Sequence, residues 1–187
     1  MRPVLALAAV LFAGTAGAQW DQAISDNDLL DPWIQAKAAV LALPADRLSG
    51  VATRADLIEL EGHLSSLRTQ LENTAISIAG RPEFAYDAAE RSFELSQKVG
   101  KVQQGLDALF AALAQSGRAD VKSARESIGR LQKILAERVR FERDVLNTVG
   151  SGSKNAIQAL AARWWTAGDR VGEVGEAIAG LRQGLAR

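Results

Sequence analysis

Leu57, Leu60, Leu64, Leu67, Leu71, Thr74 and Ile78 stand alternately three and four residues apart. That spacing places all seven on one stripe of an α-helix and on no single face of a strand. The alternation recurs in Ala88, Ser92, Leu95, Val99, Val102, Leu106, Leu109 and Leu113. It recurs again in Ile157, Leu160, Trp164, Ala167, Val171, Val174, Ile178, Leu181 and Leu185. A helix with one apolar stripe must bury it against another element. With no strand pattern elsewhere, the partners are other helices, and the expected fold is all-α. A 3.5-residue repeat predicts a left-handed twist.

Breaks in the pattern delimit five segments. The first covers about 28–43, with Asp28 as cap, Asp31 in the first turn, and Pro32 where a missing N–H costs little. Its stripe is Leu29, Trp33, Ala36, Val40 and Leu43, widened by Leu30, Ile34 and Leu41, and Pro44 ends it. The second runs over 53–79, opened by a Thr53/Asp56 capping box and stopped by Gly80 and Pro82. The third spans 82–115 and ends at Ser116-Gly117.

The fourth segment covers 119–149. It begins in register with Val121, Ala124, Ile128, Leu131 and Leu135, then shifts to Val139, Leu146 and Val149. Such a stutter unwinds a supercoil locally. Gly150-Ser-Gly-Ser153 follows as a loop, and Ser153 caps a fifth helix over 154–186. The last four segments have matched lengths and short connections, which favour antiparallel neighbours. The expected architecture is an elongated antiparallel bundle of four long helices plus a short N-terminal one. Coiled-coil hairpins that complete their cores by oligomerising are the alternative.

The N-terminus reads as a leader. Met1-Arg2 is followed by the apolar run Val4–Phe12 and by Ala16-Gly17-Ala18, small residues in a signal-peptidase spacing. Residues 1–18 are therefore expected to be a cleaved secretory signal peptide, and 19–187 a single helical-bundle domain. The run is shorter than the about 20 residues needed to cross a bilayer, and no transmembrane segment is expected in the mature chain. The absence of cysteine rules out a lipidated cleavage site and disulfide staples. The expected location is the periplasm, or the medium after secretion.

Charge is graded along the chain. Residues 19–47 carry 2 basic and 5 acidic side chains, 48–117 carry 6 and 9, and 118–187 carry 13 and 8. Acidic and basic helices neutralising one another in one bundle explains this gradient, with an anionic partner as the alternative. The fourth segment concentrates Lys122, Arg125, Arg130, Lys133, Arg138, Arg140 and Arg143, preceded by Arg118. These are read as solvated flanks, or as a dock for an acidic partner. Nucleic acid is disfavoured, because the chain is expected to be exported and its overall charge is near zero.

Catalytic chemistry finds no foothold. His63 is the only histidine, and no Gly-rich turn or nucleophile elbow surrounds it. It flanks the Leu60/Leu64 stripe and is expected at the boundary of the core. Glu59 and Glu61 do not form the Glu-x-x-His pair of bundle metal sites. Asp26, Asp28 and Asp31 lack calcium-loop spacing and suit helix capping. No catalytic, metal or cofactor site is expected.

The fifth segment is the unusual one. Gly168, Gly172, Gly175, Gly180 and Gly184 each cost it about 1 kcal/mol relative to alanine. Close packing on a neighbouring helix explains them, and so does a surface that docks a partner. Arg163-Trp164-Trp165 joins the residue types enriched at interface anchors. Arg163, Trp164, Trp165, Gly168, Gly172 and Gly175 are therefore the candidate protein-binding residues. The expected role is an exported, non-enzymatic scaffold or adaptor that binds an envelope protein. A self-assembling component is the second reading. The plan of leader plus helical bundle is similar to minor pilus-associated subunits of type IV secretion systems, a likeness of layout alone. A periplasmic sensor or small-ligand carrier is the third.

Overall fold

The computed structural model describes residues 23–43, 48, 52–80, 87–111 and 119–185. The leader segment 1–18 and Arg118 lie outside them. Six helices follow in order: α1 (Asp26–Leu41), α2 (Arg54–Gly80), α3 (Asp87–Ala111), α4 (Ala119–Ala136), α5 (Val139–Gly150) and α6 (Lys154–Gly184). The fold is all-α, a helical bundle, and the described residues contain no strand.

Five helices close a ring in the order α1, α4, α3, α2, α6 and back to α1. Side-chain pairs give the directions. Along α2 and α6, Arg182 bonds Glu61 while Gly168 faces Leu71 and Glu72, so the two run antiparallel. Gln70–Glu94 and Lys98–Ser66 make α2 and α3 antiparallel. Ser92–Leu135 and Arg125–Asp107 do the same for α3 and α4. Arg163–Asp26 and Lys37–Glu173 run in step, so α1 and α6 are parallel. A ring with an odd number of members cannot alternate throughout, and this seam absorbs the mismatch.

The stripes fill the ring. All seven α2 positions from Leu57 to Ile78 are buried, as are Leu95, Val99, Val102, Leu106 and Leu109 of α3. In α6 the stripe from Leu160 to Leu181 is buried, with Ile157 and Leu185 packed at its ends. Ala88 and Leu113 lie outside the described side chains. Small residues let α3 and α4 approach closely. A Cβ on Gly100 would collide with the Gln132 amide, and one on Gly129 would press on Gln103.

Helix starts follow local chemistry. Thr53 and Asp56 form the expected box, each satisfying the other's backbone N–H. Hydrogen bonds donated by the Thr53 hydroxyl and backbone N–H hold the Asp56 carboxyl below its usual range. Ser153 accepts from the Ala156 N–H at the start of α6. The first helix departs from expectation. Its cap is Ser25, with Asp28 closing a capping box from the third helical position. The helix thus starts earlier, and Pro32 lies inside it rather than in its first turn. Ile34 and Leu41 do not widen the buried stripe, because both are exposed. The seams with α4 and α6 are filled by Trp33, Ala36, Ala39 and Val40.

The larger correction falls on the fourth segment, which is two helices. The chain breaks at Arg138, whose φ of 60° is left-handed. The Val139 N–H bonds the Glu137 carbonyl at 2.6 Å, which closes a γ-turn about Arg138. A non-glycine residue in that region costs on the order of 1–3 kcal/mol. The compensation is visible. The break turns Phe141 and Val145 into the core and leaves Val139 and Leu146 exposed. The Arg138 guanidinium lies 4.9 Å over the Phe93 ring. Ser92 Oγ donates to the Leu135 carbonyl at 2.5 Å and Ser96 Oγ to that of Gln132, so α3 satisfies the frayed end of α4.

Candidate functional site

The candidate residues on α6 divide into three groups. Trp164 is fully buried and meets Phe141 edge-on, with centroids 4.7 Å apart at 83°. It serves the core and offers nothing to a partner. Arg163 is also used inside the chain. Its Nε donates to Asp26 at 2.5 Å, its Nη1 to Asp144 at 3.2 Å, and its Nη2 to the Ile24 carbonyl. One guanidinium therefore ties the segment before α1, the short α5 and the start of α6 together.

Asp144 is the one buried acid among the described residues. Burial pushes its carboxyl above the usual range, and the attraction of Arg163 offsets this only in part. Sequence reasoning missed this contact. An aspartate within Arg-Phe-Glu-Arg-Asp looks like one more solvated charge until the break at Arg138 turns Phe141 and Val145 inward, with Asp144 between them.

The glycines face α2. A Cβ on Gly168 would press on Glu72 at 3.2 Å, and one on Gly172 would reach the Arg68 guanidinium at 2.9 Å. Gly175 lies over Leu64. Packing within the chain thus accounts for Gly168. Gly172 and Gly175 are only half-buried and line a groove of about 270 Å³ between α2 and α6. Leu64 and Val171 also line it, with Glu61, Arg68 and Glu176 among its polar residues. Ion pairs hold the rim in place. Arg182 bridges Glu61 at 2.6 Å, and Arg68 bridges Glu72 at 2.7 Å; both guanidiniums are shifted further toward the charged form by these carboxylates. Trp165 is 44% exposed. It lies seven residues before Gly172 and eleven before Glu176, on the same helical face as the groove.

The basic residues that looked concentrated in the sequence are partly spent on neighbours. Arg125 bridges Asp107 at 2.6 Å, Lys122 lies 3.9 Å from Glu126, and Arg138 covers Phe93. Pairs such as Asp26–Arg163, Glu61–Arg182 and Asp107–Arg125 join acids that precede residue 118 to bases that follow it. Internal neutralisation thus accounts for part of the charge gradient.

A second concavity, unforeseen from the sequence, opens between α2 and α3. It encloses about 250 Å³ over Leu57, Leu60 and Leu109, with Asp56, Glu59, His63, Lys101 and Gln104 around it. His63 is half-buried here, 3.5 Å from Glu59, at the core boundary where its flanking position put it. The one hint in the sequence is Gly105 in the middle of a long helix, where a Cβ would meet Leu60 at 2.8 Å.

Among the described residues no group of three or more histidine, cysteine, aspartate or glutamate side chains is placed to hold a metal ion. No described helix is long and apolar enough to cross a membrane. No protein-family model matches the chain, and neither a curated protein nor a solved structure is significantly similar to it.

Proposed function

We propose that this chain is an exported, non-enzymatic scaffold or adaptor of a bacterial envelope that acts by binding another protein. Export rests on the leader pattern of residues 1–18. The docking surface is the outer face of the α2–α6 pair. The observation that carries the reading is Trp165, a large exposed side chain two turns before a groove that two glycines keep shallow, and on the same face of α6. Aromatic residues are over-represented among interface anchors. Gly172 and Gly175 support the same reading. A Cβ at Gly172 crowds only the half-exposed Arg68 side chain, at the expense of its bridge to Glu72, and at Gly175 it makes only ordinary contact. Packing within the chain therefore does not require glycine at either position, although each lowers helix stability. A partner whose backbone comes close to α6 does require it.

The test is a photo-crosslinking residue placed at Trp165, with Ile34, exposed on α1, as the control position. A discrete adduct from position 165 but not from position 34, lost in Gly172→Leu, is the expected result. No adduct at 165, or the same adducts from both positions, refutes the reading. An adduct of twice the chain mass replaces the adaptor with a self-assembling component.

A further inference from the structure

The seam between α2 and α6 is short of cations. Arg68 serves three carboxylates at once: it bonds Glu72 at 2.7 Å, lies 3.8 Å from Asp169, and is drawn more weakly by Glu176. Arg182, at the far end, is taken by both oxygens of Glu61. Along this seam the described residues thus set the acids Glu61, Glu72, Asp169 and Glu176 against the bases Arg68 and Arg182. Asp169 is half-exposed and Glu176 exposed, so both carboxylates are open to a further cation. Apolar ground lies on both sides of these acids. Trp165 stands one turn before Asp169 on the same face of α6. The register set by Arg182 on Glu61 and by Gly168 against Glu72 carries Ile76 of α2, 58% exposed, to the level of Trp165. Seven residues beyond Trp165, Gly172 opens the groove over Leu64 and Val171, and Glu176 follows one turn further on.

We infer that the partner enters this seam as a basic amphipathic α-helix, its apolar side chains seven residues apart over Trp165 and the groove, and its arginines or lysines against Asp169 and Glu176. The inference rests on the docking reading above and adds the chemistry of the partner. Spacing and shape indicate a helix. Trp165 and Gly172 are two turns, or about 10 Å, apart, which is the interval at which an incoming heptad helix repeats its apolar residues. Two packed helices leave a cleft that a third can fill, and the glycines let its backbone come close. The described residues offer no strand edge for an extended peptide to join. The outnumbered bases indicate the charge. A cation on the incoming helix relieves the excess around Arg68, whereas an acidic helix adds to it. An arginine placed beside Asp169 also reaches the Trp165 ring, on which a guanidinium stacks well.

The probes are three helical peptides of one length, with leucine and alanine on one face and arginine, glutamine or glutamate on the flanks. Each is titrated into the protein and followed by amide NMR shifts. The arginine peptide should bind saturably, with shifts centred on Trp165, Asp169, Gly172 and Glu176. The glutamine peptide should bind more weakly and the glutamate peptide not at all. Asp169→Asn combined with Glu176→Gln should weaken the arginine peptide about tenfold, roughly threefold for each exposed pair lost. Glu126→Gln, a loss of one exposed carboxylate on α4, should leave it unchanged. All of these substitutions are at the surface, so the protein remains folded in each comparison. Failure of the arginine peptide to saturate overturns the proposal. So does equal binding of the three peptides, or binding indifferent to the Asp169/Glu176 pair. The photo-adduct from position 165 separates this inference from the docking reading. An adduct undiminished in the Asp169→Asn/Glu176→Gln protein leaves docking in place and overturns the basic helix, whereas no adduct at all overturns both.

Discussion

Arg163→Ala tests how the Ile24, Asp144 and α6 contacts are held together. The substitution removes the cation beside Asp144, whose side chain is only 10% exposed. Breaking a buried pair from one side costs about 3–5 kcal/mol, because the remaining charge stays buried and unmatched. The Asp26 arm is 62% exposed and adds at most about 1 kcal/mol. Residual water access to Asp144 favours the lower end, so about 3 kcal/mol is expected. For a chain of this size that lowers the melting temperature by roughly 6–12 °C.

Asp144→Asn should behave quite differently. It keeps an acceptor for Arg163 Nη1 and removes the charge that burial opposes, so stability at pH 7 should hold or rise by up to about 1 kcal/mol. The pH dependence follows from the direction of the shift. The folded carboxyl sits above its unfolded value, so folding takes up a proton between the two values. The contribution of Asp144 is greatest below the unfolded value and is lost as pH rises through the folded one. Without Arg163 the folded value climbs further, so the penalty of Arg163→Ala shrinks on acidification. Thermal melts at pH 7 and pH 4 of wild type, both single variants and the double variant decide the matter. The double variant should recover most of the Arg163→Ala loss. If Arg163→Ala melts within about 2 °C of wild type at pH 7, or Asp144→Asn is as damaging, the buried-charge reasoning is wrong.

Three further outcomes are expected. Leu67→Asp buries an unpartnered carboxylate at a fully buried position and should abolish the cooperative melt, whereas His63→Ala, which loses only the contact with Glu59, should shift the melting temperature by no more than about 2 °C. Gly180→Ala, with nothing within 4 Å of the new methyl, should stabilise by about 1 kcal/mol; Gly105→Ala, which meets Leu60 at 2.8 Å, should not gain and should lower the denaturation midpoint. Intact-mass measurement of protein recovered from the periplasm should find a chain beginning at Gln19, and recovery of residues 1–18 with it would remove the case for export.

Where packing follows a single unbroken period, the residues announce it. The Leu57–Ile78 stripe is buried at every position, since one register satisfies both the helix and its neighbours. Capping at Thr53 and Ser153 was legible because it involves residues three apart. Ser25 was hidden because Asp28, a good cap in its own right, occupies the third helical position of the real one. The break at Arg138 carries no glycine or proline. It is a tertiary choice, in which Phe141 reaching Trp164 outweighs a strained residue. Ile34 and Leu41 were misplaced because an apolar residue at a stripe's edge is buried only if a neighbour covers it. The number and placement of neighbours is not a local property. On α6, the residue types named Trp164 and Trp165 together, and only the bundle separated the buried one from the exposed one.

The parallel seam between α1 and α6 sets an order of events. The first helix made has its side-chain bonds with residues 88 to 137 positions further on, in α4 and α6. Until α4 has emerged α1 has no berth, and until α6 has emerged it has only one side of it. In the meantime α2, α3 and α4 can pair one after another as each appears, since successive members run in opposite directions. The long wait makes α1 the slowest contact to close, because loop entropy must be met before its bonds return anything. It also leaves a vacant seam in every nearly finished molecule. A neighbouring chain at the same stage carries a helix of the right sequence and charge to enter it, so exchange of α1 between two molecules is the expected by-product of refolding at high concentration.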